Sequence, residues 1–186
     1  MFERLHVWAI EVDQNHESFN IEAQRSFIRD FGKSLYQSVD DPSSPLHSLQ
    51  YVYFTRIFHP QRDKMGAYVR LCFFVEENLS QPTEDELDKR LSILTSQGKV
   101  FTIRKESIDG IHEASLKGAK DFPELYYRYV HHLSRMAVEL FNKEGIEVEI
   151  DKILWEWTHN FFNLLRGFGV AVLEFDPGTV VRSYRI

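Results

Sequence analysis

The chain contains a single cysteine, Cys72, among its 186 residues. One cysteine forms no internal disulfide and builds no cysteine-rich metal site. The sequence has no run of about 18 apolar residues and no apolar segment of the signal-peptide type near residue 1. We therefore expect neither membrane spanning nor secretion, and we expect a cytoplasmic protein.

Basic residues are also scarce, since 22 Lys and Arg stand against 28 Asp and Glu and give a formal net charge of -6 at pH 7. This balance lacks the basic stripe that binds nucleic acid by releasing counterions, so no nucleic-acid partner is expected. One alternative stays open, which is RNA stacking on the strand aromatics Tyr51, Tyr53 and Tyr68. The sequence contains no P-loop, no G-x-G-x-x-G and no H-E-x-x-H motif, and we expect no cofactor and no metal.

Hydrophobic periodicity predicts an α+β fold in the order βαββαβ. Alternating apolar residues predict the strands, and apolar residues at helical spacing predict the helices. In chain order these elements cover 4–12 (strand), 21–36 (helix), 49–58 and 67–75 (strands), 83–96 (helix) and 100–104 (strand). In this interpretation the second helix begins at Thr83, whose spacing to Glu86 is that of a capping box. The order is that of the ferredoxin-like fold, whose antiparallel sheet carries both helices on one face.

Two further helices are predicted after this core. A polar segment, 105–121, leads to a helix at 123–142, and a last helix at 153–169 ends at two glycines. A short strand is expected within the tail, at 171–175. We thus predict a single domain, 1–186, that comprises a ferredoxin-like core (1–105), a helical pair (122–169) and a tail (170–186).

The third strand places a charged residue on a sheet face. Val69, Leu71 and Phe73 form an all-apolar set that should face the two helices, so Arg70 and Cys72 should lie on the opposite face, partly covered by the C-terminal helices. There Arg70 either serves a ligand in a cleft between layers or pairs with a nearby carboxylate on a solvated sheet. Cys72 is expected to be a small buried or half-buried residue and not a nucleophile, since no activating neighbour stands beside it.

The last predicted helix carries a polar stripe at helical spacing, made of Glu156, His159, Asn163 and Arg166. A histidine titrates near neutral pH and can therefore move a proton during a reaction. A solvated helix face explains the same stripe, so both interpretations remain.

Two motifs suggest a family. The segments Tyr53-Phe-Thr-Arg-Ile-Phe-His-Pro60 and Tyr68-Val-Arg-Leu-Cys-Phe73 are similar to an "F-F-x-R-Y-x-D-P … H-x-R-L-R-F" hairpin. Likewise, His159-Asn-Phe-Phe-Asn-Leu-Leu-Arg-Gly167 keeps the His, Asn and Gly spacing of "H-x-x-x-N-R-x-x-G". Both motifs are those of lantibiotic dehydratase C-terminal (elimination) domains, also found as thiopeptide-type bacteriocin biosynthesis proteins. The order of elements between the motifs matches too, so the resemblance covers most of the chain.

The resemblance implies an activity and a set of site residues. In that family the domain removes glutamate from glutamylated Ser or Thr of a precursor peptide, and related stand-alone members form a pyridine ring from dehydrated peptides. By this resemblance Arg70 would bind a carboxylate or enolate, and His159 would donate or accept a proton. Substrate binding would fall to Arg56, Asn163, Arg166 and Lys117. The expected partner is a precursor peptide or another protein, and a homodimer fits as well.

Three positions depart from the family's pattern. Cys72 stands in place of the second strand arginine, and Leu164 in place of the arginine after the motif asparagine. The segment expected to read E-R-Y-G-G is Glu113-Ala-Ser-Leu-Lys-Gly-Ala119, in which Lys117 is the one candidate for its arginine. The alternative function is therefore a non-catalytic, dimerising ferredoxin-like module that binds a peptide or protein.

Overall fold

The structure, a computed structural model, describes residues 4–14, 21–56 and 67–142. Within these residues four strands form one sheet, and four α-helices pack against it. In chain order they are β1 (Arg4–Asp13), α1 (Ile21–Asp40), β2 (Gln50–Arg56), β3 (Ala67–Phe74), α2 (Glu77–Ser96), β4 (Thr102–Asp109), α3 (Gly110–Leu116) and α4 (Pro123–Phe141). None of the helices in this part of the chain combines the length and apolar character needed to cross a membrane.

The sheet has the strand order β2-β3-β1-β4, and every neighbouring pair is antiparallel. The first and third strands therefore occupy the centre, as the ferredoxin-like βαββαβ arrangement requires. The predicted α+β class is confirmed. The helix predicted at 153–169 and the strand predicted at 171–175 lie outside the described residues.

The larger core lies between the sheet and the pair α1 and α2. Val69, Leu71 and Phe73 are fully buried in it, which confirms the predicted orientation of β3. The other buried members from the sheet and the two helices are Trp8, Ile10, Val12, Val52, Phe27, Ile28, Phe31, Leu35, Tyr36, Leu87 and Leu91. Burying aliphatic and aromatic side chains is the dominant favourable contribution to folding, so this layer provides most of the stability of the domain.

A second core covers one end of the opposite sheet face. Tyr127 of α4 is fully buried there, with its ring centroid 4.7 Å from that of Phe74, and its hydroxyl donates to the carbonyl of Gly110 at 2.5 Å. The remaining buried members are Leu5, Val7, Tyr53, Cys72, Ala114 and Ala119. The helices α3 and α4 thus cover this end of the face.

The helix α4 also closes the outer edge of β2. The backbone N–H of Phe54 donates to the hydroxyl of Ser134 at 2.9 Å. The carbonyl of Val52 accepts the Tyr36 hydroxyl at 2.9 Å and lies 2.8 Å from Nδ1 of His131. Unpaired groups at a strand edge invite pairing with another chain, and these side chains satisfy them instead.

The role of His131 at this edge predicts a pH dependence of stability. Burial lowers the pKa of His131 below its ordinary value of 6.5. As pH falls through that value, the ring takes up a proton in the unfolded chain but stays neutral in the folded protein. Because the unfolded state then binds more protons, the free energy of unfolding should fall as pH falls below about 6.5. Burial lowers the pKa of His6 as well, in the same direction.

Urea unfolding of wild type and His131→Gln at several pH values isolates the first of these two histidines. We expect the variant to lose less stability on acidification, since His6 is common to both proteins. His112, which is exposed on α3 and does not act on the pKa of His131, provides the control variant His112→Gln. Parallel pH profiles for wild type and His131→Gln would contradict this role of His131.

The predicted start of the second helix is wrong, because α2 begins at Glu77 and runs through Pro82. Thr83 is buried inside the helix and is not a cap: its hydroxyl donates to the carbonyl of Leu79 at 2.7 Å. Pro82 lacks one backbone donor, and the carbonyl left without that donor belongs to the exposed residue Asn78. The first turn of α2 is exposed, so it lacks the apolar periodicity from which the start of a helix is predicted.

The polar segment 105–121 proved to contain regular structure. The strand β4 runs to Asp109 instead of ending at 104, although six of its eight positions are exposed, and it is held by an eight-residue register with β1. The helix α3 follows at once, because the Asp109 carboxylate accepts from the N–H groups of Ile111 and His112 at 2.9 and 3.0 Å. An aspartate in this position is a strong helix start.

Candidate functional site

The candidate site lies on the sheet face opposite α1 and α2, which we call the open face. Side chains of β1 and β3 alternate between the two faces, and Arg70 and Cys72 belong to the open face, as predicted. Cys72 and its neighbours are covered by α3 and α4, whereas Arg70 lies one residue pair beyond that cover along β3. The two residues therefore stand at the border between a buried and a more accessible half of the face.

Arg70 is partly buried and stands in register with Thr55 on β2 and Ala9 on β1. Its side chain forms no ion pair and no hydrogen bond with any residue that the structure describes. The interpretation in which Arg70 pairs with a nearby carboxylate therefore finds no such carboxylate in this part of the chain. A guanidinium in this state offers a rigid fork of donors to an anion.

Lys117 is brought to the same region from the helical layer. It follows α3, is exposed, and lies with its Nζ 3.7 Å from Oε1 of Glu113. Both Lys117 and Arg70 are close enough to the Cys72 thiol to lower its pKa, while Glu113 acts in the opposite direction. The charges of two of the predicted site residues thus act on one buried thiol.

Cys72 is unreactive in this setting. Burial raises the pKa of its thiol to about 12, and this effect outweighs the Tyr53 hydrogen bond and the two nearby cations, which lower that pKa. The thiolate is the nucleophilic form of cysteine, so burial disfavours the form of Cys72 that would attack an electrophile. The prediction that Cys72 is a buried residue is confirmed, with 4% of it exposed.

This environment predicts slow alkylation. Native protein at neutral pH should react with iodoacetamide far more slowly than protein unfolded in urea. In the unfolded chain the thiol regains a pKa of about 8.5. Mass spectrometry counts the adducts without ambiguity, because the chain has one cysteine. Native and unfolded protein reacting at equal rates would show that the cover over Cys72 is not formed in solution.

A buried polar pair stands on the open face beyond Arg70. Glu11 and Tyr68 are cross-strand neighbours, 6% and 4% exposed. Burial, and then the negative charge of Glu11, raise the pKa of Tyr68. The guanidinium carbon of Arg104 lies 5.7 Å from the centroid of the Tyr68 ring, within cation–π range.

Sequence reasoning did not assign Arg104 or Glu11 to the site. The predicted fourth strand ended at Arg104, so its cross-strand neighbours were undefined. The register now pairs Ala9 with Arg70 on one side and with Arg104 on the other. A predicted β4 that continued past residue 104 would have placed Arg104 beside a neighbouring strand. Alternation along β1 already places Ala9 and Glu11 on one sheet face.

The structure gives less information on the remaining predicted site residues. Arg56 ends β2 in register with Val69, and its side chain is not described. His159, Asn163 and Arg166 lie outside the described residues. Among the residues described, no three His, Cys, Asp or Glu side chains gather as metal ligands would.

The RNA-binding alternative loses its stacking platform. Tyr53 and Tyr68 are each 4% exposed, so neither ring offers a free face to a base. Tyr51 lies where β2 departs from its register, with φ at 48°, and its ring contacts Phe74.

Comparison with known proteins yields a structural likeness. No protein-family model matches the chain, and no curated protein matches its sequence. Among solved structures the chain is similar to the crystal structure of the tRNA-dependent lantibiotic dehydratase MibB from Microbispora sp. 107891, with a TM-score of 0.57 and 18% identity. The likeness shows the fold. It covers 76% of this chain and 12% of the MibB chain, so this chain corresponds to a small part of that protein.

Proposed function

We propose that this chain acts on a ribosomally made precursor peptide as a lyase-type elimination domain. It would remove glutamate from glutamylated Ser or Thr and leave a dehydroamino acid. The observation that carries the proposal is Arg70, a partly buried guanidinium on the open face with no counter-ion among the described residues. The motif resemblance and the fold likeness to part of a protein named as a lantibiotic dehydratase support it.

The elimination creates negative charge in two places. A base takes the Cα proton of the glutamylated residue, the electrons of that bond form the Cα=Cβ double bond, and the Cβ–O bond breaks. The pair of electrons from the broken bond leaves with glutamate as a carboxylate. Charge also develops on the peptide carbonyl oxygen as the proton departs. The fork of Arg70 suits either the enolate or the leaving carboxylate, and such stabilisation of developing charge is commonly the main source of an enzyme's rate enhancement.

His159 is the proposed acid–base residue, because imidazole titrates near the pH at which the reaction runs. Arg56, Asn163, Arg166 and Lys117 are proposed to bind the substrate. For Lys117 the structure adds support, since the residue lies near the same thiol as Arg70. Glu113, one helical turn earlier, is the ion-pair partner of Lys117.

A direct assay tests the proposal. The protein is mixed with a peptide carrying one glutamylated serine, and mass spectrometry follows the loss of glutamic acid. Wild type should release it, and His159→Ala should release it much more slowly. A dehydrated peptide run in parallel tests for ring formation, the reaction of the related stand-alone members. Absence of any mass change with both peptides would overturn the proposal.

A second candidate function is a peptide-binding module without catalysis. The observation that favours it is Cys72, which occupies the place of a family arginine and is held neutral by burial. A neutral thiol cannot replace the charge of a guanidinium at a developing oxyanion. If the glutamylated peptide binds, as fluorescence anisotropy would show, and no glutamate is lost, the binding module is the correct function. Sedimentation of the same sample would report the dimer expected of such a module.

A further inference from the structure

The open face carries a second arginine beside Arg70. The register places Arg70, Ala9 and Arg104 in one row across β3, β1 and β4. Adjacent strands are about 4.8 Å apart, so the Cα atoms of the two arginines lie about 10 Å apart, on either side of one residue. That residue is alanine and is partly exposed. Two long cationic side chains thus flank a short one on an accessible part of the face.

Neither guanidinium is neutralised by the described part of the chain. Arg104, like Arg70, forms no ion pair there. Glu11, the next residue of β1 on the open face, is buried and forms no ion pair with either arginine. Glu106, the next residue of β4 on the open face, is exposed and forms no ion pair with a described residue. The row therefore presents two cations whose mutual repulsion an anion between them would relieve.

The ring of Tyr68 holds Arg104 without using its donors. A guanidinium over an aromatic ring is attracted to the ring's π-electrons, while its N–H groups point outward in the plane of the fork. Arg104 lies 5.7 Å from the Tyr68 centroid, and Tyr68 is itself buried, in register with Glu11. The polar pair thus orients Arg104 and leaves its N–H groups available for a ligand.

We propose that Arg104 is a carboxylate-positioning residue, which forms with Arg70 a two-arginine site across Ala9. The site takes a ligand that bears a carboxylate, because the planar fork of arginine matches the two oxygens of that group. The assignment of the ligand rests on the proposed function, in which the carboxylate belongs to the glutamyl group. Arg104 then supplies, from β4 on the far side of β1, the second guanidinium that Cys72 does not provide.

Glutarate is the probe for this site, because it is a simple dicarboxylate that undergoes no elimination. Isothermal titration calorimetry of the full chain should detect glutarate binding that weakens as salt is added. Arg104→Gln should weaken it by about tenfold or more, the effect of losing one charge-assisted contact. Arg104→Lys keeps the charge and should recover part of the loss.

A second variant tests the geometry independently of charge. Ala9→Leu keeps both arginines and fills the space between them, and it should weaken glutarate binding about as strongly. Arg128→Gln is the matched control: it removes the same charge from an exposed position on α4, where Arg128 pairs with Glu124, and should leave binding unchanged. Circular dichroism confirms that each variant is folded. Wild-type protein that does not bind glutarate, or Arg104→Gln protein that binds it normally, would overturn the inference.

The elimination assay separates this inference from the proposed function. A positioning role predicts that Arg104→Gln raises KM for the glutamylated peptide more than it lowers kcat. If the wild type eliminates glutamate and Arg104→Gln has unchanged KM and kcat, the two-arginine site is wrong and the function stands. If glutarate binding depends on Arg104 but no peptide loses glutamate, the site stands and the function is wrong.

Discussion

Replacing Arg70 with glutamine is expected to slow glutamate loss from a glutamylated peptide by about 10²–10³-fold, the usual effect of removing one donor to a developing oxyanion. Glutamine keeps the length and polarity of the side chain and loses the charge and the fork. Arg70→Lys should recover little, because an ammonium group is a point charge and does not bind two oxygens in one plane. Single-turnover experiments followed by mass spectrometry measure this effect on the chemical step.

The fold should tolerate the change at Arg70. Its side chain makes no ion pair or hydrogen bond within the described chain, so removing its charge leaves no described carboxylate without a partner. Arg128→Gln, on α4, should remain fully active. A folded Arg70→Gln protein with wild-type turnover would remove Arg70 from the mechanism, and with it the main support for the elimination.

The orientation of Arg70 could be predicted from sequence because β3 is a central strand with one continuous apolar face. Val69, Leu71 and Phe73 are all apolar, which identifies the face that packs on α1 and α2. Alternation then assigns Arg70 to the other face without any knowledge of the neighbouring strands. The orientation of a strand with one continuous apolar face can therefore be predicted from its own residues.

The position of Arg104 could not be predicted in this way, because β4 is an exposed edge strand with charged residues on both faces. Its structure comes from pairing with β1, a contact between residues nearly 100 positions apart in the chain. The same holds for the closure of the β2 edge, where Ser134 and His131 reach groups about 80 residues away. Local periodicity contains no information about contacts of this kind.

The start of α2 shows a related limit. The spacing of Thr83 and Glu86 suggests a cap, but the Thr83 hydroxyl donates to Leu79 and bonds to Ser48 of the preceding segment. A threonine hydroxyl can bond to the backbone of its own helix as well as cap it, so the motif alone does not decide between the two. In this protein Thr83 lies inside the helix, where its hydroxyl also bonds to Ser48.

Tyr127→Ala should cause the largest loss of stability among the variants considered, about 3–5 kcal/mol, as expected for an aromatic side chain removed from a core. The side chain is fully buried, packs on Phe74, and hydrogen-bonds to Gly110 at the start of α3. It therefore joins α3 and α4 to the covered end of the open face. Domains have about 5–15 kcal/mol of stability in total, so the variant should fold with a reduced margin. Urea unfolding followed by circular dichroism measures the loss.

Cys72 reports whether this loss is local to the helical cover. In folded Tyr127→Ala protein, well below its unfolding midpoint, iodoacetamide should alkylate Cys72 much faster than in wild type, because the missing ring opens the cluster around the thiol. Tyr127→Phe keeps the ring and loses one hydrogen bond, so it should cost about 1–3 kcal/mol and leave the thiol protected. Equal protection in all three proteins would show that α4 is not what shields Cys72. Faster alkylation in Tyr127→Ala alone would show that the ring of Tyr127 shields this thiol and keeps it inert.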